Sequence, residues 1–397
     1  METENSFPLA LSSWDHEEID AINAVIKSDR YSMGQYVEQF EEDFSKYIGA
    51  KYCVMVNSGS TSNLIAIASL FYRKENPLKK GDEVIVPAVS WSTTYTPLQQ
   101  YGLKVKFVDI DKDTLNYDLD ALSTAISDNT KLIVAVNLLG NSNDFDRINE
   151  IIANKDIIIY EDNCESLGAK FNGKMAGTFG LLGGYSTFFS HHMSTMEGGL
   201  ITTDDEELYH IMLSLRSHGW TRHLPKENLV TGTKSDNPFE ESFKFVLPGY
   251  NVRPVEMSGA IGIAQLKKLP KFIEERRENA NYFKEQFSSS KYFHIQAEVG
   301  ESSWFGFALT LKDDTPFERS ELIAFLEKNK IECRPVVTGN FTKNEVIKYF
   351  DYEIHGELKN ADRVDTKSFF VGNHHVDMKK AIDLLQAKVE EFVNLKL

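Results

Sequence analysis

Several features that mark particular classes of protein are scarce or missing in this chain of 397 residues. Its three cysteines, Cys53, Cys164 and Cys333, are far apart and odd in number, which offers neither a disulfide framework nor the C-x-x-C spacing of a metal site. The net charge of −16 argues against a nucleic-acid partner, because binding a phosphate backbone needs a basic face. No apolar run reaches the roughly 20 residues that a membrane span needs.

The N-terminal stretch "METENSFPLALSSWDHEEID" also lacks the features of a secretory signal. It carries acidic residues where a signal peptide carries basic ones, and no long apolar segment follows. We therefore expect a cytoplasmic protein with no membrane partner.

What the chain does contain is an alternation of short apolar runs and amphipathic segments. Such runs belong in a sheet that is covered on both faces, and the alternation favours a doubly wound, mostly parallel α/β domain. We place this large domain at residues 1–265 and a smaller α+β domain at residues 266–397, with a long helical segment crossing between them. The apolar runs are "YCVMVN" (52–57), "EVIVPAV" (83–89), "KVKFVDI" (104–110), "KLIVAVNLL" (131–139) and "IIIYED" (157–162).

Lysine is missing from a stretch of particular interest. The segment "GGYSTFFSHHMSTMEGGLITTD" (183–204) predicts strand, turn and strand, and it holds His191 and His192 where no lysine occurs between Lys174 and Lys226. A histidine pair by itself is more often a core or surface pair than a catalytic one. Without a second cluster of histidines or cysteines it is also a weak metal site, so we predict no bound metal.

Three other segments place distinctive residues just beyond strand ends, where sites of doubly wound sheets lie. Asp162 is either a helix cap or loop charge, or a carboxylate that keeps a pyridinium nitrogen protonated. Gly59 and Ser60 open a helix, which is either a plain capped start or a seat for an anion. Trp91 is either a core or lid residue, or a stacking partner for a flat ring.

Five motifs in order resemble the DegT/DnrJ/EryC1/StrS family of fold-type I aminotransferases, which act on nucleotide-linked keto-sugars. They are "SGST", "VPAVSW", "EDNCESLGA", "STFFSHH" with "TMEGG", and "PGYNVRPVEMSGAIG", and the resemblance extends from near Trp14 to the C-terminal helix. It implies a fold-type I fold and a cofactor, pyridoxal 5′-phosphate (PLP) or pyridoxamine 5′-phosphate (PMP).

By this resemblance, one group of residues would hold the cofactor. Asn251 would reach the phosphate from the neighbouring subunit, which implies a homodimer with shared active sites. Glu165 stands where the family has Gln or His beside the cofactor's phenolic oxygen. The other implied contacts are Asp162 with the pyridine nitrogen, Trp91 with the ring face, and Gly59, Ser60 and Ser186 with the phosphate.

The chain departs from the family at the residue that holds the cofactor covalently. The family's lysine lies five residues after the phosphate serine and six before the Glu of "EGG", so Ser186 and Glu197 place His191 in that position. Neither imidazole nitrogen has the two hydrogens that forming an imine requires. We therefore expect a cofactor that is bound without a covalent link, and His191 as the acid–base catalyst.

This replacement is similar to that of the sugar 3-dehydratases that use PMP. Within that branch, "HGWTRHLPKEN", "TGTKSD" and "ESFKFVLPGYNVRP" look most like the enzymes that act on GDP-4-keto-6-deoxymannose, on the route to colitose. The other histidine branch carries an iron–sulfur cluster on four cysteines, which three cysteines cannot supply. The resemblance thus implies loss of the C3 hydroxyl of a GDP-linked keto-sugar, with L-glutamate restoring PMP and ammonia released.

Two further residues are candidates for the substrate side. Arg222 and Glu332 lie in stretches that resemble the dehydratase, but they also fit a solvated loop arginine and a strand-surface charge. Two other functions stay open from sequence alone. One is a dehydratase or aminotransferase for another nucleotide-linked 4-keto-6-deoxyhexose, and the other is a non-catalytic regulator with the same fold.

Overall fold

The computed structural model describes residues 6–153 and 155–396. The first five residues of the N-terminal stretch and Leu397, which belong to the two predicted domain ranges, lie outside the described residues.

The strands and helices of the described residues are as follows. The strands are β1 (Tyr52–Val56), β2 (Glu83–Pro87), β3 (Lys104–Val108), β4 (Thr130–Val136), β5 (Ile158–Asp162), β6 (Lys170–Phe171), β7 (Lys174–Met175), β8 (Leu182–Ser186), β9 (Gly199–Thr203), β10 (Glu227–Asn228), β11 (Gly232–Thr233), β12 (Phe293–Ile295), β13 (Gly306–Leu311), β14 (Tyr352–Ile354) and β15 (Ser368–Gly372). The α-helices are α1 (His16–Ser28), α2 (Gln35–Ile48), α3 (Gly59–Leu70), α4 (Ser92–Gln100), α5 (Leu119–Ala125), α6 (Phe145–Ile152), α7 (Glu206–Leu215), α8 (Pro238–Glu241), α9 (Glu256–Phe287), α10 (Arg319–Lys328), α11 (Lys359–Lys367) and α12 (Lys379–Lys396).

An eight-stranded sheet of order β1-β9-β8-β5-β4-β2-β3-β14 forms the centre of the larger part of the molecule. Its neighbours are parallel except at β9, which runs antiparallel to both β1 and β8. The mostly parallel sheet is therefore confirmed, and the five apolar runs form β1 to β5. Because seven strands point the same way, the residues that follow them meet at one edge.

Burial explains why these runs form strands. Every residue of β2, and four of the five residues of β1, β3 and β5, are buried, as expected for strands packed on both faces. Helix α3 is itself almost entirely buried against the sheet, since Ile65, Ala66, Ile67 and Ala68 are all inaccessible. A helix that is apolar all round belongs in a core, and this one carries its N-terminus to the sheet's edge.

The C-terminal part packs around a second core. The antiparallel sheet β12-β13-β15 lies with α9, α10 and α12 over a cluster that includes Phe283, Phe307 and Phe369 and is joined by Phe7. Helix α9 is a continuous 32-residue helix through residue 265, so the predicted crossing segment is one helix and the domain boundary stays a prediction.

Two features of the C-terminal part differ from expectation. Strand β14 leaves this part to extend the large sheet beside β3. The run "IECRPVV" (331–337) forms only single bridges, from Ile331 to Phe7 and from Arg334 to Phe370. Pro335 has no backbone N–H to donate, which limits strand pairing there.

Among the described residues, none of the helices combines the length and apolar character that crossing a bilayer requires.

Candidate active site

A cavity of about 650 Å³ lies at the carboxyl ends of the central strands. No lysine lines it in the part of the chain that the structure describes. The predicted site residues that it brings together are Gly59, Ser60, Trp91, Asp162, Glu165, Ser186 and His191.

Asp162 ends β5 with its carboxylate buried in the cavity wall. Its Oδ2 accepts hydrogen bonds from Thr94 Oγ1 at 2.7 Å and Asn63 Nδ2 at 2.9 Å, and its Oδ1 accepts one from the Cys164 backbone N–H at 3.1 Å. Among the described residues no Lys or Arg pairs with this carboxylate. A buried carboxylate is costly without a cation, so the cavity lacks one positive group that a ligand would supply.

Sequence reasoning missed Thr94 and Asn63, although both follow closely after motifs it used. Asn63 is in α3 and Thr94 is in α4, each within about one helical turn of the residues that the motifs pointed to. Both orient Asp162, and both line the cavity. The available signal was helical spacing from Gly59 and Trp91, which places these side chains on the sheet-facing side.

The N-terminus of α3 packs closely against Ser186. Ser58 caps the helix by accepting a hydrogen bond from Thr61 N at 3.2 Å, which leaves the amides of the first turn facing the cavity region. A Cβ on Gly59 would lie 2.5 Å from Ser186 Cβ, so only glycine permits this approach. Free amides beside the Ser186 hydroxyl form an anion seat, to which Ser60 adds a hydroxyl.

Trp91 stands at the rim of the cavity, immediately before α4. Its side chain is 57% exposed, and Phe188 and Phe189, which also line the cavity, are exposed too. The indole is therefore neither a core residue nor a covered one. It is available to stack on a flat ring.

His191 lies in a loop that is closed at its base. The Thr187 N–H donates to the Gly198 carbonyl at 2.9 Å, directly after the pairing of Ser186 with Gly199 that joins β8 to β9. Within the loop the His191 N–H donates to the Phe188 carbonyl at 2.9 Å. The loop thus holds the histidine at a fixed place between two paired strands, as the predicted strand–turn–strand pattern requires.

The His191 side chain is half-buried and is flanked by two aromatic rings. The rings of Phe188 and Phe305 lie edge-on to it, with centroids at 5.8 and 5.1 Å. Its Nδ1 has no hydrogen-bond partner among the described residues. Burial, helped by the charge of Arg276, lowers its pKa to about 4, so at neutral pH it is an uncharged base.

Glu165 lines the cavity close to Asp162. Its Oε2 accepts a hydrogen bond from the Leu139 N–H at 3.1 Å. Burial raises its pKa to about 7, and the nearby charge of Asp162 acts in the same direction. The side chain can therefore carry or give up a proton at neutral pH.

Three predicted site residues are not brought into this cavity. Arg222 stacks on Trp220, 4.4 Å from the ring centroid, and Asn251 Oδ1 accepts a hydrogen bond from Arg253 Nε at 3.0 Å. Glu332 accepts a hydrogen bond from the Leu9 N–H at 2.9 Å, and only Leu9 reaches the cavity. Their predicted roles stay predictions.

The C-terminal part contributes cavity residues that sequence reasoning did not find. Phe305 precedes β13, and Arg334 and Val337 come from the segment after α10. All are more than 100 residues from His191 along the chain, and no local pattern marks such contacts.

Comparison with known proteins gives the same family. Residues 12–383 match the DegT/DnrJ/EryC1/StrS aminotransferase family. The chain is 64% identical over 378 residues to GDP-4-keto-6-deoxy-D-mannose 3-dehydratase of Yersinia pseudotuberculosis, which covers 95% of this chain and 96% of that one.

Two solved structures of GDP-4-keto-6-deoxymannose-3-dehydratase are similar throughout. One holds a trapped PLP-glutamate geminal diamine, with 60% identity, a TM-score of 0.95 and coverage of 96% of this chain and 99% of that one. The other is a His-to-Asn variant with bound GDP-perosamine, with 60% identity, a TM-score of 0.96 and coverage of 96% and 100%.

Proposed function

The chain belongs to the DegT/DnrJ/EryC1/StrS aminotransferase family, and from that premise we propose that it is a PMP-dependent 3-dehydratase of GDP-4-keto-6-deoxymannose. It removes the C3 hydroxyl to give GDP-4-keto-3,6-dideoxymannose. L-Glutamate is the amine donor that restores PMP, and the nitrogen leaves as ammonia. One observation carries this proposal: the cavity has His191 and no lysine among its described lining residues.

The residues of the cavity fit a pyridoxal cofactor. The buried Asp162 carboxylate has no cationic partner among the described residues, which suits a protonated pyridine nitrogen. The seat at Gly59, Ser60 and Ser186 suits a phosphate, because free amides and hydroxyls bind anions at a helix N-terminus. Trp91 provides an open ring face. When bound, PMP supplies an amino group for the sugar carbonyl and a conjugated ring that takes up an electron pair.

His191 moves the protons. The imidazole is uncharged at neutral pH, so it can accept a proton from the reacting carbon. The imidazolium that results gives a proton to the C3 hydroxyl, which departs as water. A positioned acid or base of this kind contributes about 10²–10⁴ in rate. Phe188 and Phe305 flank the imidazole, so apolar rings border it on two sides.

The missing lysine decides the fate of the nitrogen. In an aminotransferase the lysine amine displaces the aminated sugar from the cofactor. An imidazole cannot do so, since neither nitrogen can form an imine. Water therefore completes the release, and the sugar leaves without the amino group.

The decisive experiment follows the nitrogen and the sugar together. Purified enzyme with PLP, nitrogen-15 L-glutamate and GDP-4-keto-6-deoxymannose is expected to give labelled ammonia and a sugar lighter by one oxygen, both read by mass spectrometry. Label retained on the sugar would identify an aminotransferase instead. If the protein binds the cofactor but converts neither substrate, it would be a regulator or binding protein.

We further infer that the enzyme is a homodimer whose active sites take residues from both subunits. Asn251 and Arg222, predicted to contact phosphate and substrate, lie outside the cavity of their own chain. They neighbour a stretch whose large apolar side chains are unusually exposed, and such patches mark protein interfaces. The exposed residues are Phe239 (87%), Phe243 (68%), Phe245 (57%) and Val255 (55%).

Mixing two inactive variants tests the shared site. His191→Asn removes the base, and Asn251→Asp places a negative charge near the phosphate while keeping the acceptor for Arg253. If Asn251 serves the partner's cavity, mixed dimers have one intact site, and random pairing restores roughly a quarter of wild-type activity. No recovery, with mixed dimers confirmed by native mass spectrometry, would place both residues in one site.

Two smaller proposals concern the whole chain. We infer a cytoplasmic enzyme, because Cys53, Cys164 and Cys333 are all unpaired thiols, as is usual in a reducing compartment. We also retain a large cofactor-binding domain to residue 265 and a small domain from residue 266. Support for the division is the separate phenylalanine-rich core around β12, β13 and β15. Limited proteolysis of the loops flanking α9 tests it.

A further inference from the structure

We propose that Arg276 is a positioning residue that fixes the Phe305 ring against the His191 imidazole and places a buried positive charge beside the segment that carries this ring. The proposal rests on the proposed function, because it assigns a second layer to the same acid–base site. Arg276 lies in α9 and outside the residues that line the cavity.

Arg276 is a buried cation without a carboxylate. It is 3% exposed, and among the described residues no Asp or Glu pairs with it. Its Nη1 donates instead to three backbone carbonyls, those of Asn373 at 2.5 Å, Phe305 at 3.2 Å and Trp304 at 3.5 Å. Its Nε has no partner among the described residues. Burial lowers the pKa of the guanidinium to about 9, which still leaves it charged at neutral pH.

A buried charge without a carboxylate partner is destabilising, so Arg276 does not serve stability through its charge. Three carbonyls satisfy the hydrogen-bonding groups on one side but do not neutralise the charge. The field of Arg276 therefore acts on whatever titrates nearby. It acts on four histidines, lowering the pKa of each in addition to the larger effect of burial: His191, His192, His374 and His375.

The same side chain also orders the wall of the site. By holding the Trp304 and Phe305 carbonyls, it fixes the segment whose Phe305 ring contacts His191 at 5.1 Å and His192 at 5.7 Å. From its other end this segment is tied to the loop that follows β4, since the Phe305 N–H donates to the Leu139 carbonyl at 2.9 Å. Phe305 thus sits between two anchors with its ring edge against the imidazole.

The chemical consequence is that the His191 imidazolium gives up its proton readily. A base beside a fixed positive charge holds a proton weakly, so the imidazolium formed in one transfer is a stronger acid for the next. This favours delivery to the departing hydroxyl. The other titratable or charged groups that face His191 are the neighbouring His192 and, across the cavity, Asp162, Cys164, Glu165, Glu197 and Arg334.

Arg277 is a matched control on the same helix. It also donates to a carbonyl of this segment, Ser302 O at 2.9 Å, but its charge is paired with Glu301 at 3.3 Å. Because the ion pair with Glu301 offsets its charge, Arg277 is not among the causes of the lowered pKa of His191, which are burial and Arg276. Arg277→Gln therefore removes a neighbouring arginine without changing the field at the imidazole.

The test reads His191 directly in the cofactor-free enzyme. Carbon-13 labelling of histidine Cε1 and NMR titration follow the chain's ten histidines, and the His191 signal is the one lost in His191→Asn. In the wild type and in Arg277→Gln we expect the uncharged signal to persist down to pH 5. In Arg276→Met the midpoint is expected to rise by about one pH unit or more, and Arg276→Lys, which keeps the charge, should resemble the wild type.

Enzyme kinetics test the positioning of Phe305 separately from the effect of the Arg276 charge. Arg276→Lys loses the geometry that reaches three carbonyls, so we expect kcat to fall about tenfold with the KM for the sugar little changed. A wild-type His191 that titrates near pH 6.5 would overturn the proposal, even if Arg276→Met does not fold. So would an unchanged midpoint in folded Arg276→Met. Neither result depends on which product forms. The titration therefore tests the role of Arg276, and the nitrogen-15 experiment tests the proposed function independently.

Discussion

The two sides of the cavity differ in whether their buried polar groups have hydrogen-bond partners. On the side where β5 ends, Asp162 accepts three hydrogen bonds from its own chain. On the His191 side, buried polar atoms lack partners among the described residues: His191 Nδ1, His192 Nδ1, Arg276 Nε and Ser303 Oγ. Satisfied groups hold a ligand in one geometry, whereas open groups leave a proton free to move. The difference divides the site into a binding side and a reacting side.

Removing the binding side's charge should have the largest effect. In Asp162→Ala, and equally in the isosteric Asp162→Asn, we expect turnover to fall below detection, because an unprotonated ring does not take up electrons. The fold should persist, as judged by circular dichroism. Wild-type turnover in either variant would contradict the division at its strongest point.

Changing the reacting side should alter the chemistry rather than the binding. In His191→Lys the lysine would lie in a buried position near the Arg276 charge, which favours the neutral amine needed to form an imine. We expect a covalent PLP absorbance to appear and dehydration to fall by about 10²–10⁴. An unchanged spectrum after adding PLP would put His191 outside the lysine position.

On the binding side, removing a hydrogen bond to Asp162 should have a smaller effect than removing the carboxylate itself. Thr94→Val deletes the 2.7 Å hydrogen bond to Asp162, together with the 2.8 Å bond between the Thr94 and Ser90 hydroxyls, while nearly conserving volume, and the Asn63 bond remains. We expect kcat/KM to fall about tenfold, in line with the loss of one hydrogen bond to a charged group. Thr96→Val is the control on the same helix, because the Thr96 hydroxyl donates to the Ser92 carbonyl of its own helix and not to Asp162. Equal losses in both variants would mean a general effect on α4.

The smallest expected effect lies between the two sides, at Glu165. Its pKa of about 7 in the fold exceeds its ordinary value, so the folded protein binds more protons than the unfolded chain between about pH 4.5 and 7. Stability should therefore fall as pH rises through that window, by about 1–2 kcal/mol. Glu165→Gln should flatten the pH dependence of Tm in the cofactor-free enzyme. The surface variant Glu150→Gln should not, and a similar flattening there would discount the assignment.

The binding side was largely predictable from sequence, and the reason is local. Asp162, Gly59, Trp91 and Ser186 all lie at or directly after strand ends or at helix starts, where short-range patterns carry information. Thr94 and Asn63 were missed although they lie two or three residues beyond identified motifs, since a motif does not say which of the following helical residues faces the sheet.

The reacting side was only half predictable. His191 follows from its spacing to Ser186 and Glu197, but Phe305 and Arg276 reach it through contacts between distant parts of the chain. Such contacts depend on how α9 and the segment before β13 pack, which no single stretch encodes. The surroundings of Glu332 differ in another way: one reading of this residue was a strand-surface charge, whereas the run 331–337 forms only single bridges and Pro335 has no backbone N–H to donate.

The closed loop between β8 and β9 has a consequence for how such enzymes diverge. Since paired strands and the Thr187–Gly198 hydrogen bond hold both ends of the loop, its path is set by its length and its base. The residue at its tip can change identity while the surrounding backbone stays in place. A single codon change can then replace a covalent anchor with a proton carrier, so one scaffold can evolve from adding nitrogen to a sugar to removing oxygen from it.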